Sequence, residues 1–226
     1  HAQYNYMSVG DASAKAPGWN WRGYLDARGL RSVDSLNVAH PAFFARMAKE
    51  LGERPLEDWK AYLRFRVANG AAPLLSSAFV RQNFTYQSKL SGARELQPRW
   101  RRCLNLVDNH LGDALGREYA AIAFTPEAKA AMDEMIDNLF AVYRERLLTL
   151  PWMGEETRKQ ALAKLNTFQR KIGYPDKWRD YSALDVQEGH LVGNVRRAIA
   201  FQERRDLAKV GKPVDKSEWF MTVPTV

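Results

Sequence analysis

Four prolines, Pro41, Pro55, Pro98 and Pro126, each head a run in which apolar residues recur three or four places apart. Proline has a fixed φ and no N–H, so a helix accepts it in the first turn and is broken by it elsewhere. These positions therefore mark helix starts, and the runs behind them set the fold class. Pro41 is followed by Phe43, Phe44, Met47 and Leu51, with Gly52 as the stop. Pro55 is followed by Leu56, Trp59, Leu63 and Val67 on one face, closed by Asn69-Gly70. Pro98 heads a run in which Leu104, Val107, Leu111 and Leu115 keep helical rhythm. Thr125-Pro126-Glu127 is the strongest start signal: a capping hydroxyl, a first-turn proline and an acid at the positive helix end. The helix behind it carries Met132, Met135, Ile136, Leu139, Phe140 and Tyr143, with Leu147, in one stripe. That spacing reads as core packing rather than as a binding groove.

The remaining segments fit the same scheme. Residues 71–90 continue helix-like after Pro73, with Leu74, Phe79 and Phe84 as core candidates, and break at Ser91-Gly92. Residues 155–170 form a helix with Leu162, Leu165 and Phe168 inward, terminated by Gly173 and Pro175. Residues 175–189 are a loop holding Trp178 and Tyr181, and 191–210 are the last helix. At the front, residues 1–18 read as a loop or extended entry, 19–30 as a short amphipathic stretch and 32–37 as a brief strand. The tail, 215–226, is rich in β-formers and reads as the start of a strand. No repeat, low-complexity tract or linker interrupts the chain. The expected fold is all-α: a multi-helix single domain over 1–226 with short extended segments at its ends.

Composition narrows the function classes. The 226 residues are 46% hydrophobic and 27% charged, the ordinary profile of a folded domain. No run approaches the ~18 apolar residues of a membrane-crossing helix, and mean hydropathy is −0.47. The chain opens His1-Ala2-Gln3-Tyr4, with neither Met nor a signal-peptide pattern, and reads as a processed protein or an excised piece. Net charge is +8, but the basic residues are dispersed among acids, with the tightest groups at Arg99/Arg101/Arg102, Arg196/Arg197 and Arg204/Arg205. A solvated face explains them better than a phosphate-tracking groove. Trp100 among the arginines is expected to pack inward, with the arginines paired to acids.

Side chains that carry chemistry are present without the spacing that chemistry needs. The histidines are His1, His40, His110 and His190, too scattered for a two-histidine helical zinc site, and no H-E-x-x-H occurs. His110 reads as a polar helix-face residue. Glu155/Glu156 and Asp133/Glu134 are adjacent pairs, which diverge on a helix and do not converge on one atom. Phosphate-binding glycine loops and a G-x-S-x-G elbow are absent. The single cysteine, Cys103, cannot form an internal disulfide and reads as a buried apolar thiol, or else as half of a bridge to a partner outside the segment.

Four short patterns occur in a fixed order: Pro98-Arg99-Trp100-Arg101-Arg102-Cys103, Leu115-Gly116-Arg117-Glu118-Tyr119, Leu150-Pro151-Trp152-Met153-Gly154 and Lys171-Ile172-Gly173-Tyr174-Pro175. Further matches are Pro55-Leu56 with Trp59-Lys60-Ala61-Tyr62-Leu63, and Met221-Thr222-Val223-Pro224-Thr225-Val226. The ordered set resembles the helical region of neprilysin-like zinc metallopeptidases, including their bacterial oligopeptidase relatives, over nearly the whole chain.

The resemblance implies a two-domain protein in which a helical domain caps a thermolysin-like catalytic domain. A cavity between them admits small peptides. Two histidines and a glutamate would hold zinc and a second glutamate would activate its water. None of those residues falls in this chain, nor does the edge strand that binds substrate, so the expected catalytic, metal and substrate-binding residues here number none. Zinc belongs to the parent enzyme, and the segment alone is expected to be inactive. Its implied partners are the missing catalytic domain and small peptides, with no nucleic acid and no transmembrane segment in this chain. The implied location is extracytoplasmic, periplasmic or secreted, with any membrane anchor upstream. Cys103 matches a position that is disulfide-bonded in extracellular animal relatives, the resemblance implying a partner that is either upstream of His1 or missing. The alternative reading is an independent helical interaction or nucleic-acid-binding module.

Overall fold

The computed structural model describes residues 3–223, which are predominantly helical with one small sheet. The chain falls into two compact units, His1–Leu96 with Gln187–Pro213, and Gln97–Val186 with Val214–Val226. The first unit is discontinuous in sequence, which is why no linker composition marks a boundary.

The first unit begins with β1 (Tyr6–Ser8) and α1 (Val9–Lys15). The entry, expected as a loop or extended segment, is extended at β1 and helical after it. Ser8 caps α1, its hydroxyl accepting from the Asp11 N–H at 3.0 Å. Then come α2 (Trp21–Ala27) and β2 (Ser35–Asn37), which pairs antiparallel with β1 through Met7 opposite Leu36. Asn20 caps α2, accepting from the Gly23 N–H at 2.8 Å. Val9, Ala12, Trp21, Leu25 and Val38 form the buried cluster, with Trp19 and Phe44 packed against it. The Trp21 and Phe44 rings lie 4.7 Å apart, and Trp19 meets Trp21 edge-on at 6.0 Å. Each such ring contact adds about 0.5–1.5 kcal/mol beyond the area it buries.

The proline-headed runs form α3 (Pro41–Glu53) and α4 (Leu56–Ala71), followed by a 3-10 turn at Ala72–Leu74 and α5 (Ser77–Ser91). Gly92 ends α5 in the left-handed region at φ 73°, as its place after the last periodic residue implies. Gly52 and Asn69-Gly70 do not stop their helices, which run one residue past each. The last helix of the unit, α9 (Leu191–Leu207), ends three residues earlier than the sequence suggests. Arg28 of α2 pairs with Glu203 of α9.

The second unit holds α6 (Arg99–Ala123), α7 (Pro126–Thr149) and α8 (Glu155–Leu165). Helix α6 kinks at Leu111, whose φ of −132° and ψ of 32° leave the helical region. Beyond the kink its buried face is Gly112, Gly116 and Ala120, not the Leu104–Val107 face that the apolar rhythm selects. Thr125 caps α7 as expected, accepting from the Ala128 N–H at 3.2 Å. Arg158 of α8 joins α8 to the end of α7. Its guanidinium donates to the carbonyls of Leu147 (3.2 Å), Leu150 (3.1 Å) and Met153 (2.9 Å), and to Glu155 at 3.0 Å. Leu147 lies in the last turn of α7, Leu150 is its C-cap and Met153 is in the turn beyond; a planar five-donor fork reaches several such carbonyls at once. Helix α8 stops at Leu165 rather than Arg170, so Phe168 lies outside it and is more than half exposed.

After α8 the chain turns through Gly173, at φ 69°, where an added Cβ would run into the Phe124 ring. Tyr174 stacks on Trp178 with centroids 5.8 Å apart, and Phe124 meets Tyr174 edge-on at 6.1 Å. Lys129 of α7 lies over the Tyr174 ring and donates to the Tyr174 carbonyl (3.0 Å) and to Asp176 (2.8 Å). The tail, 214–223, carries no strand among the described residues; Pro224–Val226 lie outside them. Thr222 and Val223 instead rest on Gly112 and Gly116. A strand needs a pairing edge, and the only sheet among the described residues belongs to the first unit.

Three substitutions test this account by urea unfolding. Thr125→Ala removes the α7 cap and is expected to cost about 1 kcal/mol. Arg158→Ala removes the guanidinium donor from three carbonyls at once and is expected to cost about 2–4 kcal/mol, with Arg158→Lys restoring only part. Gly173→Ala combines backbone strain with a clash and is expected to cost about 2–4 kcal/mol. Gly189, at φ 74° with open space around it, should lose only about 1 kcal/mol on the same change.

Candidate functional site

The residues with catalytic or ligand chemistry do not converge. His40 and His190 are exposed at the N-caps of α3 and α9, and neither side chain makes a capping bond. His110 is half-buried on α6, and His1 lies outside the described residues. Glu155 and Glu156 occupy the first turn of α8, where the helix dipole favours them. Asp133 and Glu134 lie along α7. Among the described residues no group of three or more His, Cys, Asp or Glu side chains could hold a metal ion. The side chains described here thus do not fit zinc, which needs three or four such ligands around one point.

Two expectations about single residues are corrected. Cys103 is a free, exposed thiol rather than a buried one, because it falls on the α6 limb before the kink, away from the packed Gly112–Ala120 face. Trp100 is 67% exposed instead of inward, and Arg102 donates to the Gln97 carbonyl at 3.1 Å rather than to an acid. Both lie in the first two turns of α6, where Arg99, Trp100, Arg101, Cys103 and Leu104 are all exposed.

The most enclosed polar cluster joins α6 to the loop after α8. The Asp113 carboxylate accepts from the Arg179 N–H at 3.0 Å, and the Asp113 N–H donates to the Tyr181 hydroxyl at 3.4 Å. Burial pushes the Tyr181 phenol above its usual range, and the nearby Arg179 charge pulls the other way. A phenol held protonated in this manner is a structural anchor at neutral pH. Elsewhere the shifts have local partners: the Arg54 guanidinium holds the Glu50 carboxyl low and Lys209 does so for Asp206. Its own backbone N–H and the Thr125 hydroxyl hold the Glu127 carboxyl low, and Ser182 does the same for Asp180. Sequence spacing does not single out Asp113, Lys129 or Arg158, because each works on backbone groups brought near by tertiary packing. The Gly-Tyr-Pro turn at 173–175 was the one available pointer to Lys129.

The main surface feature is apolar. Helices α4, α5 and α7 contain no buried residue. Leu63 and Val67 of α4 are 56% and 72% exposed, and Met135 and Tyr143 of α7 are 52% and 53% exposed. Phe79, expected in the core, is likewise half exposed. These stripes have core spacing but no core over them, and an uncovered face of this extent marks an interaction surface.

Comparison with known proteins gives that surface a context. The model of peptidase family M13 matches residues 1–175. The neutral endopeptidase of Lactobacillus helveticus is 28% identical over 222 residues, 97% of this chain and 34% of that protein. Neprilysin of Homo sapiens is 27% identical over 198 residues, 84% of this chain and 26% of that protein. The zinc metalloprotease ZMP1 of Mycobacterium tuberculosis, in its open state, superposes with a TM-score of 0.88 at 40% identity, covering 98% of this chain and 35% of that one. The chain thus spans between about a quarter and about a third of the length of these relatives. Its helices and small sheet are those of the superposed metalloprotease. With more than three-quarters of its residues matched by the family model, the chain belongs to peptidase family M13, in the N-terminal helical region.

Proposed function

We propose that this chain is the helical, substrate-restricting portion of an extracytoplasmic zinc endopeptidase that hydrolyses small peptides. The observation that carries the proposal is the match to family M13 over residues 1–175 together with the close likeness to a zinc metalloprotease of which the chain covers a third. In this reading residues 1–226 act as one part of the enzyme, and the zinc ligands and the group that activates water lie in the remaining two thirds of a relative's length. No catalytic, metal or substrate-binding residue is assigned to this chain. Its work is steric: helices wall a chamber, and chamber size selects short peptides. The uncovered apolar stripes of α4 and α7 support a role beside a catalytic domain of the same protein, since such faces are stable in water only when covered. They also argue against the alternative of a self-sufficient nucleic-acid-binding module.

The test is to assay the 226-residue chain by itself for bound zinc and for cleavage of short peptides. The proposal expects substoichiometric zinc and no cleavage above buffer. Tight stoichiometric zinc, robust cleavage, or a salt-dependent complex with DNA or RNA would overturn it.

A further inference from the structure

Within the second unit, residues from the 168–177 and 216–219 segments line an open cavity of about 410 Å³. That volume suits a small ligand. Its apolar walls are Phe168, Pro175 and Trp219, and its charged lining is Arg170, Lys171, Lys177 and Lys216 against a single carboxylate, Asp176.

The charge is less balanced than this inventory suggests. Asp176 is already engaged by Lys129, a residue outside the cavity, at 2.8 Å. Arg170 is engaged by Asp137 of α7. Lys171 donates to the Glu218 carbonyl, a neutral acceptor, and lies over the Phe220 ring. Lys177 and Lys216 are exposed and make no ion pair among the described residues. The nearby Asp215 carboxylate accepts from the N–H and hydroxyl of Ser217, at 2.9 and 2.6 Å. Three ammonium groups thus line one concavity without a carboxylate of their own. Like charges so placed repel, and a concave wall concentrates their field on whatever anion enters.

One wall of the cavity is held in place by packing. Pro175 is buried, and the Tyr174–Trp178 stack and the Gly173–Phe124 contact hold the 173–178 wall. Two aromatic side chains, Trp219 and Phe168, beside cations favour a flat apolar body over a bare ion.

We propose that this cavity binds a small organic polyanion: a flat apolar body bearing two or more carboxylate, sulfonate or phosphate groups. This site is separate from the peptidase reading and does not depend on it. Naphthalene disulfonate is a suitable probe, since sulfonates are poor zinc ligands. It is titrated calorimetrically, at low ionic strength, into the intact protein that contains this chain. One saturable site is expected. Lys177→Gln combined with Lys216→Gln should weaken it about tenfold, the scale of removing two close charges. Lys15→Gln combined with Lys89→Gln removes the same net charge at exposed positions that do not line the cavity and should leave affinity within about twofold, the change expected when only screened charges are lost. Trp219→Leu should weaken the disulfonate while sparing the weaker binding of inorganic sulfate. All four lysines are on the surface, so folding is checked simply by far-UV circular dichroism. Absence of saturable heat, equal losses in the two double-lysine variants, or equal affinity for sulfate and the disulfonate would each overturn the proposal.

Discussion

A helix face of very small residues organises the second unit. Gly112, Gly116 and Ala120 recur every four residues on α6 and are its only buried positions. Because they are small, backbone and side chains of distant segments come close. Val223 Cβ lies 3.0 Å from where a Gly116 side chain would begin, and the Trp178 ring 3.4 Å from it. Asp113, one residue along, then reaches the Arg179 N–H and the Tyr181 hydroxyl. The kink at Leu111 turns this face away from the direction set by the first half of the helix. With a leucine at 112 or 116 the tail and the 173–181 loop would both lose their seat, and the cavity they line would lose two of its walls.

The first unit uses the opposite device, a cluster of large rings around Trp21 and Phe44. In both units the buried set is small. Of the large apolar side chains among the described residues, only Val9, Trp21, Leu25, Val38, Leu165 and Val223 are buried. Polar contacts to backbone supply much of the remaining cohesion, from Arg158 on the α7 terminus to Lys129 on the Tyr174 carbonyl. The apolar stripes of α4 and α7 are the counterpart of this shortage: core residues by spacing, surface residues by position.

The helix starts were legible because each rests on local chemistry. Pro41, Pro98 and the Thr125-Pro126-Glu127 cap act on their own first turn, and the structure begins α3, α6 and α7 where they say. Helix α1 was missed although Ser8 and Asp11 carry the spacing of a capping box, because a short run of small residues has no apolar rhythm. Burial was the least legible property. Periodicity reports that a face is apolar, not what covers it, so Phe79, Met135 and Val67 read as core. The Gly112–Gly116 face was hidden for the reverse reason: glycines register as breaks, and their role as a packing surface depends on Val223, about a hundred positions away. As for chemistry, the ordered short motifs pointed to the family through its scaffold, and the polar anchors Asp113 and Lys129 waited on tertiary structure.

The central claim is that the apolar faces of α4 and α7 are covered by the rest of the enzyme. Hydroxyl-radical footprinting tests it most directly, by comparing oxidation of Met135, Tyr143 and Leu63 in the 226-residue chain with oxidation in the intact protein. The account predicts strong labelling in the chain alone and marked protection in the intact protein. Equal labelling in both would contradict it.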